Sequence, residues 1–178
     1  MKIAITGFLA LLSISAMAQS DSPTVSIPIP MKNGIVFYEQ SYTVSPNLKK
    51  EELYNRTYEW FTRTFRRTEQ NIELADKTTG RFKATGAFKV VTSASGNYYW
   101  LKPVFDITVA DGHLTCAVYN FYEKPVEQGI SNEYSKIEYR WRDYRQGKPW
   151  SAEDKRLFQG LNGKTLELMA ALLQVVNK

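Results

Sequence analysis

The stretch Phe105-Asp106-Ile107-Thr108-Val109-Ala110-Asp111-Gly112-His113-Leu114-Thr115-Cys116-Ala117-Val118 decides the fold. An Asp-Gly pair flanked by alternating apolar and polar residues is the strongest short-range signal for a β-hairpin. With Asp111 and Gly112 as the two turn residues, Ala110 faces His113, Val109 faces Leu114, Ile107 faces Cys116 and Phe105 faces Val118. The last three pairs share one face, which is the core side. Pro103 has no N–H for a ladder, so a bulge there is the point at which this register would break. The opposite face then carries Tyr98, Trp100, Lys102 and Val104 on one strand and Tyr119 and Phe121 on the next. Asp106 lies on that face opposite Ala117, with no obvious partner.

Outward from the hairpin, strands are expected over 71–76, 80–92, 98–110 and 113–122. Turn signals at Lys77-Thr78-Thr79-Gly80 and around Gly96 separate them. A further strand is expected over 35–44, rich in β-branched and aromatic residues. Between it and the hairpins, Ser45-Pro46-Asn47 offers a hydroxyl cap and a first-turn proline for a helix. Glu51 and Glu52 suit the positive end of its dipole, and Arg66 and Arg67 the negative end. Leu53, Thr57, Trp60, Phe61, Thr64 and Phe65 recur at helical spacing as one buried stripe.

Downstream, Pro125 to Pro149 is the least regular part. Ile137, Tyr139 and Trp141 alternate with Glu138, Arg140 and Arg142, which suggests a short strand or an ordered loop. Ser151 and Asp154 have capping-box spacing and open a last helical region. Leu157, Phe158, Leu161, Leu168, Met169, Leu172 and Val176 line one side of it, and Gly160 and Gly163 are positions where it would divide. No internal repeat or low-complexity tract is seen.

The first eighteen residues read as a secretory signal peptide. Met1-Lys2 is the positive start, residues 3–12 the apolar run, and Ala16-Met17-Ala18 the small residues before cleavage ahead of Gln19. Residues 19–33, with Pro23, Pro28 and Pro30, read as an extended linker. Residues 34–178 form a single domain. The expected address is the periplasm or the exterior, with no lipid anchor, since Gln19 stands where a lipoprotein has its cysteine. No transmembrane segment is expected either: residues 166–176 are short and interrupted by Glu167 and Gln174.

The 178 residues are 43% hydrophobic and 23% charged, a globular composition with a formal charge of +5. That charge permits attraction to anionic lipid or polysaccharide. The basic residues are scattered, so nucleic acid is not expected. Cys116 is the one cysteine, and the fold must stand without an intramolecular disulfide.

Three segments carry a resemblance. Leu53-Tyr54-Asn55-Arg56-Thr57-Tyr58-Glu59-Trp60-Phe61 resembles the first-helix motif of the bacterial family called domain of unknown function 4468. Asp76-Lys77-Thr78-Thr79-Gly80-Arg81-Phe82-Lys83-Ala84-Thr85-Gly86 resembles its first hairpin, and residues 105–114 its later one. The likeness covers roughly 34–122. It implies a TBP-like α+β fold, a helix on a curved antiparallel sheet in the order β-α-β-β-β-β-α, in exported proteins of Gram-negative bacteria. The family has no established activity, so no residue role is carried over, and the name of the fold implies no DNA binding.

The chemistry of the residues is exclusionary. His113 and Cys116, three apart on one strand, point to opposite faces and cannot share an ion, and the chain has no second histidine or cysteine. No metal site or cofactor is therefore expected. Cysteine–histidine catalysis fails on the same geometry, and no nucleophile elbow or phosphate-cradling glycine loop is present. Glu51 and Glu52 diverge on a helix and read as a solvated first turn. No catalytic residue is assigned.

The best lead is the outer sheet face, with Tyr98, Trp100, Tyr119 and Phe121 as candidate binding residues. Either the last helix or the 134–150 segment covers them, or they meet a ligand or partner. Tyr139-Arg140-Trp141-Arg142 is a second place to stack sugars or grip anions, unless it is a solvated strand. The expected function is a non-enzymatic envelope module binding a protein, a glycan or a small ligand. The alternative is a hydrolase-type enzyme using Asp, Glu, Tyr and Arg without histidine or metal.

Overall fold

The computed structural model describes residues 27–45, 47–126, 132–145 and 151–178. The proposed signal peptide and its Ala18–Gln19 junction lie outside them. In chain order the elements are β1 (Met31–Lys32), β2 (Ile35–Thr43), α1 (Lys50–Phe65), β3 (Gln70–Asp76), β4 (Arg81–Gly86), β5 (Phe88–Val91), β6 (Tyr98–Ala110), β7 (His113–Val126), β8 (Ser135–Lys136), α2 (Ile137–Arg145) and α3 (Ala152–Val176). The strands make one antiparallel sheet in the order β1-β2-β7-β6-β4-β3, with β5 on β6 and β8 on β7. This is an α+β architecture built on one large antiparallel sheet.

The hairpin register holds as read from the turn. Ala110 pairs with His113, Val109 with Leu114, Ile107 with Cys116 and Phe105 with Val118. The six residues of the last three pairs are buried. Gly112 takes a left-handed φ of 69°, open to a residue without Cβ.

At Pro103 the ladder shifts. Lys102 pairs with Tyr122 and Val104 with Tyr119, so one residue of β6 opposes Asn120 and Phe121 of β7. Asn120 absorbs the bulge at φ 56°, a region that asparagine tolerates better than most side chains. Beyond it the alternation of β7 is inverted. Phe121, expected on the outer face, is fully buried on the core side, and Tyr122 replaces it outside.

Residues 27–32, expected in the extended linker, are built into the fold. Ile27 and Ile29 are buried, Phe37 donates its amide to the Pro30 carbonyl at 3.0 Å, and Met31 and Lys32 pair with Val36 and Ile35. Asn33 and Gly34 both have positive φ, the two-residue turn that an Asn-Gly pair favours. The alternation of proline with isoleucine presents donorless residues outward and apolar ones inward.

α1 begins at Lys50, not at Ser45. Lys49 holds the cap position without a side-chain bond. The acceptor comes from the hairpin turn, where Asp111 Oδ1 receives the Lys50 amide at 2.7 Å. Leu53, Thr57, Trp60, Phe61 and Phe65 are buried as the stripe requires; Tyr54 joins them and Thr64 is exposed. Phe61, Phe65 and Trp60 meet Phe105, with Phe82 against Phe61. Gly86 lets Phe65 lie on the sheet, since a Cβ there would stand 2.7 Å from that ring.

The strand expected over 80–92 divides at Ala87 into β4 and β5, which pair with different stretches of β6. α3 is continuous over 25 residues, and its two glycines do not divide it. Gly160 faces Val90, whose Cγ1 would lie 2.3 Å from an added Cβ. It serves close packing of helix on strand.

The alternating 137–142 run is helical, not a strand. Ile137 and Trp141 fall one turn apart on one side, Ile137 buried and Trp141 edge-on to Phe158 at 5.2 Å. Arg140 meets both Glu123 carboxylate oxygens, at 2.9 and 3.0 Å, and Asp154 at 2.8 Å. Those bonds tie α2 to β7 and to the start of α3, so this arginine is structural. No helix among the described residues is long and apolar enough to cross a membrane.

Candidate functional site

α1 and α3 touch each other and lie on the core face of the sheet, α1 against β4 and β6 and α3 against β5. The last helix therefore does not cover the outer face. Tyr134, just before β8, reaches over that face from the described part of the 134–150 segment and lines two of its hollows.

At one end of that face, Tyr98 and Trp100 are half-buried and set edge to face at 6.2 Å. Lys89 stands over the Tyr98 ring at 3.7 Å. Next to them Lys102 and Lys124 approach the Tyr134 ring at 5.3 and 5.4 Å. Lys102 also donates to Glu69 at 2.9 Å, which holds that carboxyl below its usual range. Burial, with Glu69 beside it, pushes the Tyr134 hydroxyl up to about 12. Two hollows flank this tyrosine. One of 320 Å³ is lined by Glu73, Lys102, Asn120 and Tyr122 among others, and one of 240 Å³ by Arg67, Glu69 and Trp100.

At the other end Tyr119 stacks on Phe37 at 5.5 Å, and its hydroxyl donates to Asp106 at 3.3 Å. Asp106 does have a partner: Arg81 of β4 grips it through Nε at 3.3 Å and a terminal nitrogen at 2.9 Å. Burial and the Asp106 charge both raise the Tyr119 hydroxyl. A hollow of 430 Å³ opens there, with Glu39 and Thr115 on its walls.

Three of the four candidate binding residues thus share the outer face, at two ends of it, and Phe121 does not. Tyr122, Tyr134, Lys89, Lys124 and Arg81 were not anticipated. The Pro103 signal, carried through to β7, exposes Tyr122; the rest depend on pairings between strands distant in sequence. Cys116 is fully buried beside Ile107, and burial pushes its thiol up to about 12. Among the described residues no three histidine, cysteine, aspartate or glutamate side chains gather as metal ligands.

Comparison with curated proteins returns no match. Two solved structures share the fold. A TBP-like protein from Parabacteroides distasonis aligns over 83% of this chain and 96% of its own, with a TM-score of 0.69 and 16% identity. A DUF4468 family protein from Bacteroides ovatus aligns over 84% and 91%, with a TM-score of 0.64 and 14% identity. Residues 40–124 match the family described as a domain of unknown function (DUF4468) with TBP-like fold. That segment runs from within β2 to within β7 and holds α1 and the β6–β7 hairpin, so the likeness to the DUF4468 family rests on the first helix and the central strands of a TBP-like fold.

Proposed function

We propose that this chain is an exported, non-enzymatic binding module that holds a ligand or partner on the outer face of its sheet. One observation carries the reading: both long helices pack on the same side, and the opposite side keeps half-buried aromatics around open hollows. Large rings on a sheet face without a covering element are the usual mark of an interaction surface. The carboxylates of this face are held by cations, Asp106 by Arg81, Glu73 by Lys83 and Glu69 by Lys102. Such pairs favour recognition over acid–base chemistry, which needs a carboxyl with a displaced, available proton.

Two measurements test the proposal. N-terminal sequencing of the protein recovered from the periplasm should begin at Gln19; retention of Met1 on cytosolic protein overturns the export. Recovery of a partner or ligand from the envelope fraction should fall for Trp100→Ala or Tyr119→Ala at unchanged melting temperature. Undiminished recovery with both variants overturns the binding face.

A further inference from the structure

Cross-strand pairing orders one end of the outer face into rows. Lys89, Trp100 and Lys124 stand side by side on β5, β6 and β7. In the next row are Lys102, Tyr122 and Lys136. Directly paired residues of antiparallel strands point to the same side, so four ammonium groups alternate with two rings on one surface. Glu69 pairs with Lys102. Lys89, Lys124 and Lys136 have no ion-pair partner among the described residues.

We propose that this end of the face binds an acidic glycan, a sugar polymer bearing spaced carboxylates or sulfates; the assignment rests on the outer face being the binding surface. Three observations converge on it. The unpaired lysines supply a local positive potential, and lysine, a hydrated point charge, suits solvated carboxylates and sulfates. Trp100 and Tyr122 between them offer flat apolar faces to the C–H side of a sugar ring. The hollows beside them are walled by Glu73, Asn120 and Glu69, oxygens that accept from sugar hydroxyls. Lys89 and Lys124, two strand spacings apart, stand roughly 10 Å from each other, a span that suits charges separated along a chain of sugars.

Calorimetric titration of the purified protein tests this, with polygalacturonate and chondroitin sulfate as acidic probes, dextran as the neutral one and an oligothymidylate as the nucleic acid. The expected result is binding to at least one acidic probe that fades with added salt, with none to dextran. Lys124→Gln and Trp100→Ala should each weaken it about tenfold. Glutamine keeps most of the length of the half-buried Lys124 side chain, so a melting temperature near wild type is expected for Lys124→Gln and the inference stays testable if Trp100→Ala melts early. Binding to dextran as tight as to the acidic probes overturns the assignment, as does tighter binding to the oligothymidylate or no binding to either acidic probe. If Trp100→Ala loses the envelope partner while no glycan binds, only the glycan assignment falls. If neither Trp100→Ala nor Tyr119→Ala loses the envelope partner, the binding face falls with it.

Discussion

Asp111 Oδ1 accepts the backbone amide of Lys50 at 2.7 Å, across 61 residues of chain, so the turn of the β6–β7 hairpin caps α1. The same turn receives the Val44 amide at the Gly112 carbonyl, at 2.9 Å, and its Gly112 amide donates to Leu48 at 3.1 Å. Hairpin, β2 end and helix start are thereby held as one corner. Asp111→Ala should cost about 1 kcal/mol in urea unfolding, the ordinary worth of a helix cap, and Asp111→Asn much less. Equal losses for the two variants would mean that the aspartate acts by charge and not as a cap.

Tyr119 and Phe121 are two residues apart on β7 and face opposite ways because of the bulge at Asn120. Phe121→Ala should lose about 3–5 kcal/mol, as for any buried ring truncated to a methyl. Tyr119→Ala should lose about 1 kcal/mol or less, since its ring rests on Phe37 at the surface. Thermal melts of the pair read this directly, and similar losses would contradict the inverted alternation.

The thiol of Cys116 is buried and displaced far above its ordinary range. Labelling of the folded protein by a thiol-specific disulfide reagent should be slow and should accelerate on unfolding. Cys116→Ser should destabilise by about 1–3 kcal/mol, because a hydroxyl enters an apolar site without a ready partner.

The two glycines of α3 are predicted to behave oppositely. Gly160→Ala drives a methyl into Val90 and should cost about 1–3 kcal/mol. Gly163 has open space around it, so Gly163→Ala should gain about 0.5–1 kcal/mol of helix stability. A double-mutant cycle adding Val90→Ala should recover part of the Gly160 loss and none of the Gly163 gain.

Asp154 supplies the pH dependence. Its burial raises the carboxyl, but the bonds from Ser151 and Arg140 outweigh that, and the native value lies below the ordinary 3.8. A carboxyl lowered on folding contributes stability that is fully present above its unfolded value and is lost as the pH falls through its native value. The stability gap between the wild-type chain and Asp154→Asn should be wide at neutral pH and close below the ordinary carboxylate range. A gap that is constant down to strongly acid solution would show that the charge of Asp154 is not what holds the α3 cap and Arg140.

Much of the fold was legible because it is encoded locally. The bounds of β6 follow from its alternation, and the Ser151–Asp154 capping box forms as its spacing requires. The 137–142 run misled because six residues with alternating apolar and charged side chains satisfy a strand and one side of a short helix equally. Here Arg140 reaching Glu123 and Asp154, and Trp141 reaching Phe158, select the helix.

By itself the sequence determined the hairpin register and the apolar stripes of α1 and α3, because periods of 2.0 and 3.6 and an Asp-Gly turn are properties of neighbouring residues. Only the tertiary structure decided which face of the sheet stays open, since that depends on α3 lying beside α1 and not across from it. It also decided the lysine and aromatic rows, which arise where β5, β6, β7 and β8 meet. No local pattern specifies that meeting; it is set by how the strands close around one core.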